Sequence, residues 1–270
     1  MKLLTFIETD LRKIIPFIIG LYVLAIAGFQ AIFVKLVNNM NEVFVQTTIQ
    51  NGITMEELLK GMGPISLTAI IDENPFPIIV LVFIGLLFIL SGFYLWYKEW
   101  FGASKRIYLL LSIKGSRFRI FLSKLIVFLF IFIGYYGVIL INLLLSSQFM
   151  KLLLPKGAAA DHLVQNFLLH SQFIGYVIPT NLLALVYQVS FIIMIFSILS
   201  VFVLLDRSKR ILGMLLGFLY VAGSMALFIY LNTLELYTSE KALADWAFSA
   251  TFIVLSTLLS YYLLKRKVSI

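Results

Sequence analysis

Residues Pro75–Tyr97 read PFPIIVLVFIGLLFILSGFYLWY, 23 positions without one charged side chain. A helix needs about 20 predominantly apolar residues to cross the hydrocarbon core of a bilayer, so this run is a membrane span. Tyr94, Trp96, Tyr97 and Trp100 cluster at its far end, where amphipathic rings suit the boundary between lipid and water. Five further runs of similar character flank it, roughly Ile14–Val34, Leu125–Ser146, Thr180–Leu205, Ile211–Leu231 and Ala244–Leu264. Composition agrees: 61% of the 270 residues are hydrophobic and 13% charged, against about half and a quarter in soluble domains. The expected fold is an all-α polytopic membrane protein, one transmembrane domain over 1–270 with six transmembrane helices. The chain has no cysteine, which removes disulfides, thiolate metal sites and cysteine nucleophiles from consideration.

Charge distribution predicts sidedness. With both termini cytoplasmic, Lys2, Arg12, Lys13, Lys98, the cluster from Lys105 to Lys124, Arg207, Lys209, Arg210, Lys265, Arg266 and Lys267 fall inside. Only Lys35, Lys60, Lys151, Lys156 and Lys241 fall outside, in company with most of the acids. That bias is the positive-inside pattern. Residues 1–13 place Leu3, Ile7, Leu11 and Ile14 on one helical face, which predicts an N-terminal amphipathic helix lying in the interface. Ala25-Ile26-Ala27 has the spacing of a signal-peptidase site. Glu8 and Asp10 in the leader, and an apolar run continuing to Val34, argue for a retained span.

The reading leaves three connections of substance: outer loops over 38–74 and 148–172, and a cytoplasmic loop over 98–124. In the first, Thr54 and Glu57 have capping-box spacing before a short helix that Gly61 or Gly63 can end. In the second, Leu152–Leu154 and Val164–Leu169 are too apolar to stand in solvent. Pro179 is expected to break the long run that begins at Phe173.

Much chemistry is missing. No predicted span carries an ionisable residue at its middle, where ion-coupled carriers keep theirs. No GxxxxGK[ST] phosphate loop occurs, so the chain is not expected to be an enzyme or to bind a nucleotide cofactor itself. His162 and His170 lie eight apart with only Asp161 close by, which is no metal-ligand spacing. The net charge of +8 is laid out for a lipid bilayer rather than for nucleic acid. Asn142, Asn181 and Gln188 are the candidates for a substrate path, although such residues more often hydrogen-bond between helices. Ile133–Val138, IGYYGV, faintly resembles a potassium filter but lies mid-span, which favours helix packing. Gly213 and Gly217 form a GxxxG packing pair.

Trp100–Leu125, WFGASKRIYLLLSIKGSRFRIFLSKL, then stands out, with six Lys or Arg around the apolar run Ile107–Ile113. Lipid headgroups would satisfy the charges alone. A cytoplasmic partner would satisfy both the charges and the apolar middle. The stretch resembles the cytoplasmic loop of permease subunits of bacterial ABC transporters of the type-2 exporter class. The matching positions are Trp100, Gly102, Ser104, Lys105, Ile107, Tyr108, Leu110, Leu111, Ser116, Arg117, Ile120, Phe121, Leu122 and Lys124. Lys114 stands where the family has proline. The resemblance implies a coupling helix seated on a separate ATPase subunit, which would hold ATP and Mg, with Arg106, Tyr108, Leu110, Leu111, Ser116 and Arg117 as its contacts. It further implies pairing with a second permease copy or homologue, a bacterial plasma-membrane location, and export of an amphipathic or hydrophobic substrate such as a peptide, antibiotic or lipid. The alternative function is a non-transporting sensor or immunity subunit that binds a partner through the same loop.

Overall fold

The computed structural model describes residues 3–101, 117–171, 174, 178–179 and 181–266. Among them the chain forms helices α1 (Leu3–Asn51), α2 (Met55–Met62), α3 (Leu67–Ile71), α4 (Pro75–Phe101), α5 (Phe118–Leu153), α6 (Leu163–His170), α7 (Leu182–Thr233) and α8 (Thr238–Arg266). Six segments are long and apolar enough to cross a membrane: α1, most of α4, α5, both halves of α7 (182–208 and 211–233), and α8. The sequence expectation of six spans therefore holds.

α1 differs from expectation in length. At 49 residues it is roughly 70 Å long, more than twice the hydrocarbon core. The predicted loop from residue 38 is helix as far as Asn51. Asn38, Asn39 and Asn41 signal a loop by their polarity, but the buried stripe Phe29, Phe33, Val37, Phe44 continues at helical spacing past them. At the other end, residues 3–13 run into the span without a break in helix. Pro16 lies inside α1, where it removes one backbone donor and crowds the carbonyl four residues back.

The chain divides into two compact units, and Pro16 marks one of their boundaries. The first unit comprises Met1–Pro16, Phe88–Phe132 and Asn181–Ile270. Its core joins the two halves of α7 to α8 through an aromatic series: Phe191 to Phe228 (5.6 Å between centroids), Phe228 to Phe248 (5.5 Å) and Phe248 to Phe252 (4.6 Å). Phe196 of α7 meets Phe121 and Phe128 of α5 at 5.7 and 5.1 Å. In a straight helix Leu205 and Gly213 would stand about 12 Å apart along the axis. Instead a Cβ on Gly213 would collide with the Leu205 carbonyl, and one on Gly217 would lie 3.0 Å from the Phe202 ring. α7 therefore doubles back around residues 206–210, and its two glycines let the halves touch backbone to backbone.

The second unit comprises Phe17–Leu87 and Ile133–Thr180. Within the membrane spans, Gln30 of α1 donates from Nε2 to both the carbonyl and the Oδ1 of Asn142 on α5, each at 2.9 Å, with Ser146 Oγ at 3.3 Å. Tyr22 lies across Gly134, where a Cβ would collide with its hydroxyl. Beyond the spans, α3 packs on α6. A parallel bridge pairs Ile65 with Ala159, and Ser171 Oγ donates to Asp72 Oδ1 at 2.8 Å. The second connection is half covered: Leu154, Leu163 and Phe167 are buried while Leu152 and Leu169 are exposed. Thr54 caps α2 in the expected box, Glu57 N–H donating to its Oγ1 and its own N–H donating to Glu57 Oε2 at 2.9 Å. Gly63 ends that helix with φ 77°, a left-handed conformation that side chains disfavour. Thr54 N–H and Thr54 Oγ1–H both donate to Glu57 Oε2 and hold that carboxyl below its ordinary pKa.

Candidate functional site

The face of the N-terminal helix that enters the fold is not the apolar one read from the sequence. Phe6, Asp10 and Ile14, each four residues apart, are buried, whereas Leu3, Ile7 and Leu11 are only half-buried. A carboxylate at the centre of that face needs a cation, and α5 supplies one. Lys124 is 1% exposed and Asp10 6%, with Nζ 3.9 Å from Oδ2. The ammonium also donates to the Leu95 carbonyl at 2.8 Å and sits 5.3 Å from the Trp96 ring centroid. Ser123 Oγ lies within donating distance of Asp10 Oδ2 (3.2 Å) and of the Ile120 carbonyl (3.0 Å). Trp96 in turn donates from Nε1 to Ser200 Oγ of α7 at 2.9 Å. The sequence reading counted Lys124 among loop cations. It is instead an interior residue of α5, its Nζ set among a carboxylate, a carbonyl and an aromatic face.

A second ring of contacts surrounds this cluster. Lys13 pairs with Glu99 at 3.8 Å, and its backbone carbonyl accepts from Lys98 Nζ at 2.7 Å. The Tyr97 hydroxyl donates to Asp206 Oδ2 at 3.0 Å. The Arg207 guanidinium covers Tyr97 and Trp100 at 5.1 and 5.6 Å from their centroids, in cation–π geometry. Arg117 donates from Nη1 to the Leu264 carbonyl near the end of α8 at 3.0 Å. These contacts fall at the two roots of the basic stretch, Lys98–Trp100 at its start and Arg117 in its second half. Both roots are thus tied by charged side chains, one to the N-terminal helix and the turn of α7, the other to α8.

The remaining expected site residues distribute as follows. Arg106, Tyr108, Leu110, Leu111 and Ser116 lie outside the described residues, while Arg117 makes the α8 contact just given. Asn142 is buried against Gln30, its own Nδ2 donating to the Val138 carbonyl at 3.1 Å. Asn181 caps the start of α7, its Oδ1 accepting from Ala184 N–H at 2.7 Å, and Gln188 is half-buried within the same helix. Asn142 belongs to one unit and Asn181 and Gln188 to the other. Gly213 and Gly217 occupy the close contact inside α7. Sequence reasoning missed Gln30, Asp10 and Glu99. Gln30 was visible as the one amide within the first apolar run. Asp10 was visible in its spacing from Phe6 and Ile14.

Among the described residues no group of three His, Asp or Glu could hold a metal ion. His162 takes a left-handed backbone conformation, φ 53°, at the start of α6.

Comparison with protein-family models, with curated proteins and with solved structures finds no match to this chain. The six apolar helices define the class, a helical multi-pass membrane protein.

Proposed function

We propose that the chain is the permease subunit of an ATP-driven exporter in a bacterial plasma membrane. A separate ABC-type ATPase would supply the energy, and a second permease copy or homologue would complete the pathway. On this reading both termini and residues 98–124 are cytoplasmic, as the positive charge distribution favours, and the substrate is amphipathic or hydrophobic. The observation that carries the proposal is the anchoring of both roots of the basic stretch. A loop that only tethers a protein to headgroups needs no such wiring. A loop that receives force from a partner needs rigid connections to the spans, and Lys98, Glu99 and Arg117 provide them. The resemblance of Trp100–Lys124 to coupling loops supports the same reading.

The test is retention of the ATPase on affinity-purified permease. Leu110→Ala with Leu111→Ala would remove about 2–4 kcal/mol of contact if both are buried at the junction. Retention should fall roughly 30-fold or more, with membrane insertion unchanged. Unchanged retention would reduce the stretch to an ordinary membrane anchor, and a co-purifying partner without ATPase activity would favour the sensor or immunity alternative.

A further inference from the structure

Outside the charge cluster, the described residues hold a cavity of about 650 Å³ in the second unit. That is within the range of pockets for drug-sized ligands, about 300–1,000 Å³. It lies between the last turns of α1 and the connection that carries α3. Met40, Val43 and Phe44 of α1 and Pro64 and Ile65 of the connection give it apolar walls. The polar lining is Asn39, Ser66, Glu73 and Asn74.

Glu73 is the only charged residue among those lining the cavity. It forms no ion pair among the described residues. Two of its polar companions already have hydrogen bonds that fix what they can offer a ligand. Asn74 Nδ2 donates one hydrogen to the Ile70 carbonyl at 3.0 Å, which leaves its Oδ1 as an acceptor and its second N–H as a donor. Ser66 Oγ accepts from Ala69 N–H at 3.1 Å and so holds the start of α3 in place. A ligand head here meets the exposed Glu73 carboxylate beside amide and hydroxyl groups that can donate or accept, with no cationic side chain among the lining residues, so charge is what selects the head. An ammonium, which donates three hydrogen bonds and accepts none, matches that set. An anionic head would meet repulsion from Glu73.

From this geometry we infer that the cavity is a binding site for a cationic amphiphile, its ammonium at Glu73 and its apolar body against Met40, Val43 and Phe44. The inference stands whether or not the chain transports anything.

A photoreactive diazirine analogue of dodecylamine tests it, with the full chain in phosphatidylcholine nanodiscs and labelled peptides mapped by mass spectrometry. Labelling should concentrate on 36–44 and 63–74 and be displaced by unlabelled dodecylamine. Glu73→Gln should weaken that displacement about tenfold, the loss of one charge-assisted contact. Ala69→Trp, or Val43→Trp should the first fail to fold, should abolish the labelling while the thermal melt stays near wild type. Dodecanol and dodecyl sulfate should compete at least tenfold more weakly than the amine. Labelling spread evenly over the spans, dodecanol competing equally, or a Glu73→Gln protein that binds the amine unchanged would each overturn the assignment.

Discussion

Lys124 Nζ lies 3.9 Å from Asp10 Oδ2 and 2.8 Å from the Leu95 carbonyl, so one buried ammonium joins α1, α4 and α5. Both charged side chains are more than nine-tenths buried. Such a pair contributes little net stability, because desolvating two charges offsets their attraction. Removing one partner is different, since it strands the other charge. Asp10→Leu or Lys124→Met alone should destabilise the protein by about 3–5 kcal/mol, and the double variant should recover most of that loss. Thermal melts of the four proteins in one detergent decide the matter. Single variants as stable as wild type would mean that the pair does not hold the N-terminal helix.

The glycines give a graded prediction. A Cβ at Gly213 would meet the Leu205 backbone carbonyl, which cannot rotate away. A Cβ at Gly134 would meet the end of the Tyr22 side chain, which can. At Gly137 nothing lies within 4 Å. Gly213→Ala should therefore cost about 1–3 kcal/mol and Gly134→Ala less. Gly137→Ala should be neutral, or more stable by up to about 1 kcal/mol from helix propensity. Equal effects at all three positions would refute the close contact inside α7.

Much of this architecture was legible in the sequence, and the misses share a cause. Apolar runs located six spans because the bilayer imposes length and composition directly. The Thr54–Glu57 box was readable because capping is a local interaction. The extension of α1 past Asn38 was hidden because Asn38, Asn39 and Asn41 interrupt the apolar run, leaving Val37 and Phe44 far apart, while Val43, Val45 and Ile49 beyond them stay exposed. The buried charges were hidden for a different reason. Asp10 and Lys124 are 114 positions apart, and each alone resembles an ordinary residue of a membrane boundary. Only the fold shows that they meet. Tyr108, Leu110 and Leu111, expected as coupling contacts from the resemblance, fall outside the described residues, so for them the sequence remains the argument.

Glu57 makes the cap of α2 pH-dependent. Its carboxylate accepts from Thr54 N–H and Oγ1–H, each at 2.9 Å, and these bonds lower its folded pKa below the unfolded value. A depressed carboxylate pKa contributes stability that is present above the unfolded value, about 4.3, and is lost as pH falls through the folded one. Amide exchange of Glu57 and Leu58 should therefore be more protected at pH 7 than at pH 3, after correction for intrinsic rates. Glu57→Gln should remove most of that difference. A wild-type helix equally protected at both pH values would show that the box does not depend on the charge.

The pair between Lys13 and Glu99 tests whether the N-terminal helix transmits force from the basic stretch. Lys13 is 42% exposed and Glu99 4%, so a change at Lys13 acts on the interior through the buried carboxylate it faces. Lys13→Glu would set two carboxylates against each other while leaving the backbone carbonyl that accepts from Lys98. On the proposed function, the ATPase should still bind, because residues 105–117 are untouched. Its stimulation by the permease should fall by about 3–30-fold, the range for breaking one link in a coupled network. Lys13→Glu combined with Glu99→Lys restores an opposite-charge pair with its direction reversed, and should regain most of the stimulation. Hydrolysis rates of the reconstituted complexes at equal ATPase occupancy separate the cases. If Lys13→Glu matches wild type, or the swap is no better than the single change, the N-terminal helix anchors the fold but does not transmit.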